Sequence, residues 1–176
     1  MDGRKPNRLK DYDYSRNGLY FVTICTKDRI NYFGEIANGE MILNEFGKIA
    51  ENQWIWLQTQ YDYVILDEFK IMPNHVHGIL IIANDVGNGR DRSLQKTKSL
   101  SSLIGAFKTT SSKLIHQIGN VQFFWQKSFH DHIIRNEKSL DNIRQYIHYN
   151  PQKWQWDIEN KLCANPDMNY YTKLFA

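Results

Sequence analysis

Between Val64 and Ile82 the chain reads VILDEFKI, then MPN, then HVHGILII. A proline cannot donate to a strand ladder, so Pro73 ends the first apolar run and the chain turns there. Runs of this length on either side of so short a break predict two strands, Val64–Ile71 and His75–Ile82, paired as an antiparallel hairpin. The second run constrains the rest of the chain most. Strand side chains alternate, so His75, His77, Ile79 and Ile81 share one face, and Val76, Gly78, Leu80 and Ile82 share the other. Both faces are apolar beyond the histidines, which predicts a central strand. Gly78 leaves room there for a ligand or another backbone.

The other elements follow from periodicity and caps. Leu19–Thr26 (LYFVTICT) reads as a strand buried on both faces. Asn38-Gly39 predicts a tight turn into a short strand, Glu40–Leu43. Asn44 caps a helix reaching about Tyr61, with Phe46, Ile49, Trp54 and Leu57 near helical spacing. A second helix spans Ser99–Ile118, with Leu103, Phe107, Leu114 and Ile118 as its apolar stripe. Phe129–Arg135 reads as a further strand. Asn136 then caps a third helix running from Glu137 to about Asn150, against Pro151. Strand, helix, hairpin, helix, strand is the order of a ferredoxin-like α+β domain, an antiparallel sheet with helices packed on one face.

At 176 residues and 41% hydrophobic content, one domain is expected over the whole chain. It is framed by a polar arm (1–17), a flexible basic loop (84–98) and an irregular tail (155–176). No window approaches the ~18 apolar residues of a membrane helix. Cys25 and Cys163 fit no zinc or disulfide pattern, and the N-terminus has no apolar signal-peptide centre. A soluble, cytoplasmic protein without membrane association is the expectation. Net charge is only +3. Basic residues nevertheless gather as Arg90, Arg92, Lys96, Lys98, Lys108 and Lys113, with Asp91 alone against them. Such a cluster suits a phosphate backbone, where each contact releases counterions, although a solvated face reads the same way.

His75 and His77 on one strand face can share one ion, their Cα atoms being about 7 Å apart. His130 and His132 have the same spacing, and spacing does not choose between the pairs. Two imidazoles leave a metal short of ligands. On the third helix, Tyr146 and Asn150 lie four apart and so project to one side, beside the buried stripe of Leu140, Ile143 and Ile147. The Asn150 amide oxygen can complete a mixed N and O set for Mg²⁺ or Mn²⁺, the latter suiting it better. Such an ion polarises a phosphate oxygen, and Tyr146 is then placed to attack phosphorus.

These residues resemble a known family. His75-Val76-His77, flanked by apolar residues, is similar to the HUH motif of single-strand nucleases. Tyr146-Ile147-His148-Tyr149-Asn150-Pro151 resembles the YIxxNP signature of single-tyrosine transposases, and the likeness is greatest to the REP-associated tyrosine transposases. It spans Tyr12 to Trp154. The resemblance implies an RRM-like sheet carrying helices and a divalent metal on His75 and His77. Asn150 takes the place of the third, amide-type ligand, and Tyr146 becomes joined to the 5′ phosphate of cleaved single-stranded DNA. It implies hairpin-bearing single-stranded DNA as partner, and either a homodimer that exchanges the tyrosine helix or a monomer acting in cis. His132 matches a histidine common in these relatives and is a candidate for supporting the site or touching DNA; His130 is expected to be structural.

Two other readings compete. A domesticated transposase would bind DNA hairpins without cleaving them. A small-molecule hydrolase using His75-x-His77 in a barrel would need about 250 residues. It would also leave Tyr146 and the basic segment without a role.

Overall fold

In a computed structural model, residues 12–83 and 97–168 are described. The elements are β1 (Gly18–Cys25), β2 (Gly34–Ala37), β3 (Glu40–Leu43), α1 (Glu45–Gln60), β4 (Val64–Ile71), β5 (His75–Ile82), α2 (Leu100–Gln117), β6 (His130–Ile134) and α3 (Glu137–Tyr149). A 3₁₀ turn, Pro151–Trp156, follows α3. The main sheet is antiparallel in the order β4-β5-β1-β6, and β2-β3 forms a separate hairpin. Taking β1, β4, β5 and β6 as the four core strands, this is the ferredoxin-like α+β arrangement with β5 and β1 at the centre.

Local chemistry sets the boundaries. The Asn44 side chain accepts from Gly47 N at 3.0 Å, Ser99 caps α2 through Ser102 N, and Asn136 caps α3 through Ser139 N at 2.8 Å. At the β2-β3 turn Asn38 and Gly39 both have positive φ, 53° and 76°, as a type I′ turn requires.

Helices cover both faces of the sheet rather than one. Val22, Ile24, Val76, Leu80 and Ile82 face Trp54 and Leu57 of α1 and Leu103, Ile104 and Phe107 of α2. On the opposite face Phe21, Ile79 and Ile134 pack against Ile143, Tyr146 and Ile147 of α3. A β-bulge between Leu66 and Phe69 serves this second layer. An inserted residue re-aims side chains, and Asp67 and Glu68 both reach α3. Asp67 grips Arg144 through two bonds of 2.8 and 2.6 Å, and Glu68 meets His148 Nδ1 at 3.3 Å.

Two finer expectations shift. The α2 stripe is Leu100, Leu103, Ile104, Phe107, Ser111 and Ile115, while Ile118 is exposed. Leu114 and Ile118 sit a step around the helix from the sheet. The space beside Gly78 is filled by the Trp54 indole. A Cβ there would lie 2.5 Å from Trp54 Cζ2, so the missing side chain admits the indole of α1.

Candidate active site

The register of the central strands builds the site. Thr23 pairs with His77 and Cys25 with His75, so the end of β1 backs the start of β5. Both imidazoles are fully buried on the α3 face, with ring centroids 4.3 Å apart. Burial, then the Arg29 guanidinium, lowers the His75 pKa to about 3. Burial and His75 hold His77 well below the usual histidine range, against a smaller opposite pull from Asp157. Both rings are therefore neutral near pH 7, with a lone pair to give.

A supporting network fixes which nitrogen of His75 carries that lone pair. Asn74 Nδ2 donates to the carbonyls of Glu159 (2.9 Å) and Arg29 (3.2 Å), so its Oδ1 must accept. Its partner is His75 Nδ1 at 2.8 Å. Nδ1 is thus the protonated nitrogen, and Nε2 points into the site as an acceptor. His77 Nδ1 lies 2.9 Å from Thr23 Oγ1, which turns its Nε2 toward α3.

Helix α3 brings the phenol and the amide. Tyr146 is buried, its hydroxyl 3.0 Å from His77 Nε2 and 3.2 Å from Asp157 Oδ2. Phe21 stacks on His77 and meets Tyr146 edge-on. Asn150 Nδ2 donates to Asp157 Oδ2 at 2.5 Å, leaving its Oδ1 to face elsewhere. Two polar atoms of this site, His75 Nε2 and Asn150 Oδ1, are buried without a hydrogen-bond partner. Such atoms are rare in folded proteins and costly. One is an imidazole nitrogen and the other an amide oxygen, the mixed donor set that suits a divalent ion such as Mn²⁺ or Mg²⁺. The residues present therefore fit a metal.

Asp157 was not expected. It follows the 3₁₀ turn in what reads as an irregular tail, yet it is buried and central. His75, His77 and Asp157 bring ligand atoms within 4.8 Å of one another. Its neighbour Glu159 is also buried, paired with Arg29 at 2.7 Å and accepting from Cys25 Sγ. The sequence signal was faint: two acids in an aromatic segment with no periodicity.

His130 and His132 do not join this group. Thr23 pairs with His130 and Phe21 with His132, so both lie on the same face but on β6, across β1 from β5. His130 is exposed; His132 is half-buried, and burial, then Arg135, lowers its pKa.

The basic candidates divide. Arg90, Arg92 and Lys96 lie outside the described residues. Lys98 places its ammonium over Tyr61 at the start of α2, while Lys113 is exposed near its other end. The helix from Leu100 to Lys113 alone spans ~20 Å at about 1.5 Å per residue. Lys108 is half-buried: its ammonium donates to the carbonyls of Gln126 (2.8 Å) and Ser128 (2.9 Å) and lies over Phe129. It ties α2 to the approach of β6. An open cradle is lined by Lys108, Lys113, His116, Phe124 and Lys127. No helix among the described residues is long and apolar enough to cross a membrane.

The family described as IS200-like transposases matches residues 15–150. An uncharacterized protein of Haemophilus influenzae is 35% identical over 164 residues, covering 88% of this chain and 91% of that protein. A second Haemophilus influenzae protein, named provisionally as a REP-associated tyrosine transposase, is 29% identical over 146 residues, covering 80% of this chain and 74% of that one. Among solved structures, a REP-associated tyrosine transposase bound to a REP hairpin shares the fold. Its TM-score is 0.57 at 21% identity, covering 85% of this chain and 75% of that one.

Proposed function

The chain belongs to the IS200-like transposase family, and on that premise we propose that it is a metal-dependent single-stranded DNA endonuclease and strand transferase. Its substrate is DNA flanked by hairpins, and Tyr146 is the nucleophile. The observation that carries this reading is the meeting of four groups within one chain. The Tyr146 hydroxyl stands 3.0 Å from His77 Nε2, and the orphaned His75 Nε2 and Asn150 Oδ1 are buried with it.

His75, His77 and Asn150 would hold the ion, which supplies Lewis-acid polarisation of a phosphate oxygen. Tyr146 Oη forms a bond to phosphorus, and the P–O3′ bond breaks. The 3′ oxygen leaves, taking up a proton from solvent water, and a 5′-phosphotyrosine remains. The phenol proton passes to Asp157, whose Oδ2 already accepts the hydroxyl at 3.2 Å. The same carboxylate holds the Asn150 amide nitrogen, which aims Oδ1 away from it. The covalent bond conserves the phosphodiester energy, so attack by a new 3′ hydroxyl reverses the step without ATP. On this reading Tyr146 acts in cis, on a phosphate held by the histidines of its own chain.

The test is covalent capture. Protein, Mn²⁺ or Mg²⁺, and single-stranded oligonucleotides carrying the palindromes that flank its coding sequence are resolved on a denaturing gel. The expected adduct is absent with Tyr146→Phe and His77→Ala, while hairpin binding survives Tyr146→Phe. Hairpin binding without an adduct under every metal would favour a domesticated binder instead.

A further inference from the structure

A cleft of about 530 Å³ adjoins the nucleophile. Tyr146, Asn150 and Asp157 line it together with Lys153, Trp156, Ile158, Asn165 and Asp167. Strand cleavage gives the last five no task. We propose that this cleft receives one unpaired base flanking the scissile phosphate, stacks it on Trp156, and selects guanine through Asp167. The inference rests on the strand-cleavage reading and adds sequence choice to it.

Reach is the first argument. A phosphate at Tyr146 Oη carries a nucleotide on either side, and a cleft walled by that tyrosine lies within one nucleotide of the reacting atom. The second is the platform. Trp156 is 52% exposed although it directly precedes the buried Asp157. An indole left in the open beside a nucleic-acid site offers a π-face on which any base can stack.

The third argument is the edge chemistry. A cleft that only followed the DNA backbone would not present a carboxylate, whereas Asp167 is exposed on its wall. An ionised carboxylate accepts only, and its two oxygens suit a partner with two parallel N–H groups. Guanine alone among the four bases offers that pair, N1–H and N2–H, on its Watson–Crick edge. The adjacent O6 accepts, and Asn165 brings an amide donor to the same cleft. Lys153 adds positive charge for the attached phosphate.

Platform and reader are also tied together. The Asp167 backbone N–H donates to the Trp156 carbonyl at 3.2 Å, and Asn160 Nδ2 donates to the Trp154 carbonyl at 2.9 Å. The segment after Asp157 thus folds back along the 3₁₀ turn and holds its edge groups beside the indole.

The experiment varies the base on each side of the cleavage position mapped from wild-type adducts. It reads both adduct yield and, in a Tyr146→Phe background, equilibrium binding. Wild type should prefer guanine at one flanking position by about tenfold, the scale of one bidentate contact. Asp167→Asn should flatten that preference to within about twofold without lowering affinity for the hairpin stem. Trp156→Ala should weaken all four sequences by about tenfold, and Trp156→Phe should restore them. Adducts indifferent to base identity, or a guanine preference untouched by Asp167→Asn, overturn this inference alone. Absence of any wild-type adduct overturns the cleavage reading and this inference with it.

Discussion

Metal binding should stabilise the fold by an amount set by two orphaned atoms. His75 Nε2 and Asn150 Oδ1 are buried and unpartnered. Leaving such a group unsatisfied costs about 1–3 kcal/mol, so the metal-free site carries a penalty of roughly 2–6 kcal/mol that one ion can relieve. Mass action gives a comparable figure: ligand at a hundred times Kd stabilises by about 2.7 kcal/mol. For a chain of this size each kcal/mol moves Tm by about 2–4 °C, so saturating Mn²⁺ should raise it by roughly 5–10 °C. Differential scanning calorimetry of chelator-stripped protein, with Mn²⁺ added back, measures this directly. His75→Ala and Asn150→Ala should each remove most of the shift. His132→Ala should leave it intact, because that ring sits on β6 outside the cluster. A wild-type shift under 1 °C, or an equal shift in His75→Ala, would refute the reasoning.

Three further outcomes follow from packing and charge. Gly78→Ala drives a methyl to 2.5 Å from Trp54 Cζ2; overpacking of this kind costs about 1–3 kcal/mol, visible as a lower urea midpoint. Arg144→Lys loses the two-pronged grip on Asp67. Being partly exposed, the pair should cost no more than about 1 kcal/mol, yet adduct formation should slow by tenfold or more because Tyr146 lies two residues on. Stability of the metal-free protein should fall as the pH is lowered. His75 protonates near 6.5 when unfolded but only near 3 when folded, so unfolding takes up protons between those values. Its contribution is present above pH 6.5 and is lost as pH falls toward 3, at up to about 1.4 kcal/mol per unit. His77, shifted the same way, steepens the loss. Urea titrations at pH 7 and 5.5 measure it, and a flat profile would contradict the burial argument.

How legible the fold was depended on whether a residue's neighbours are set by local period. Strand alternation and end caps are local, so the order of elements, the β4-β5 hairpin and the shared face of His75 and His77 could be read from the chain. The placement of α3 could not. Its stripe of Leu140, Ile143 and Ile147 says that one side is buried, not against which face of the sheet. That choice is made by Phe21, Ile79 and Ile134 and by a bulge whose position no periodicity reveals. Lys108 shows a related limit. Charge pattern counts it as a surface cation, and says nothing of the two carbonyls near β6 that also hold its ammonium.

Asp157 shows where the two kinds of information meet. Tyr146 and Asn150 are coupled by helical spacing, so either residue points to the other. Asp157 is joined to them only through a 3₁₀ turn that reverses the chain after Pro151. The reversal is secured by Glu159, whose carboxylate meets Arg29 and whose carbonyl accepts from Asn74. Asn74 is the residue that orients His75. One buried network therefore sets both the tautomer of a metal-facing imidazole and the position of the carboxylate beside the tyrosine. Disturbing Glu159 should consequently be felt at His75 and at Asp157 together, although Glu159 touches neither the phenol nor either imidazole in the hydrogen bonds described.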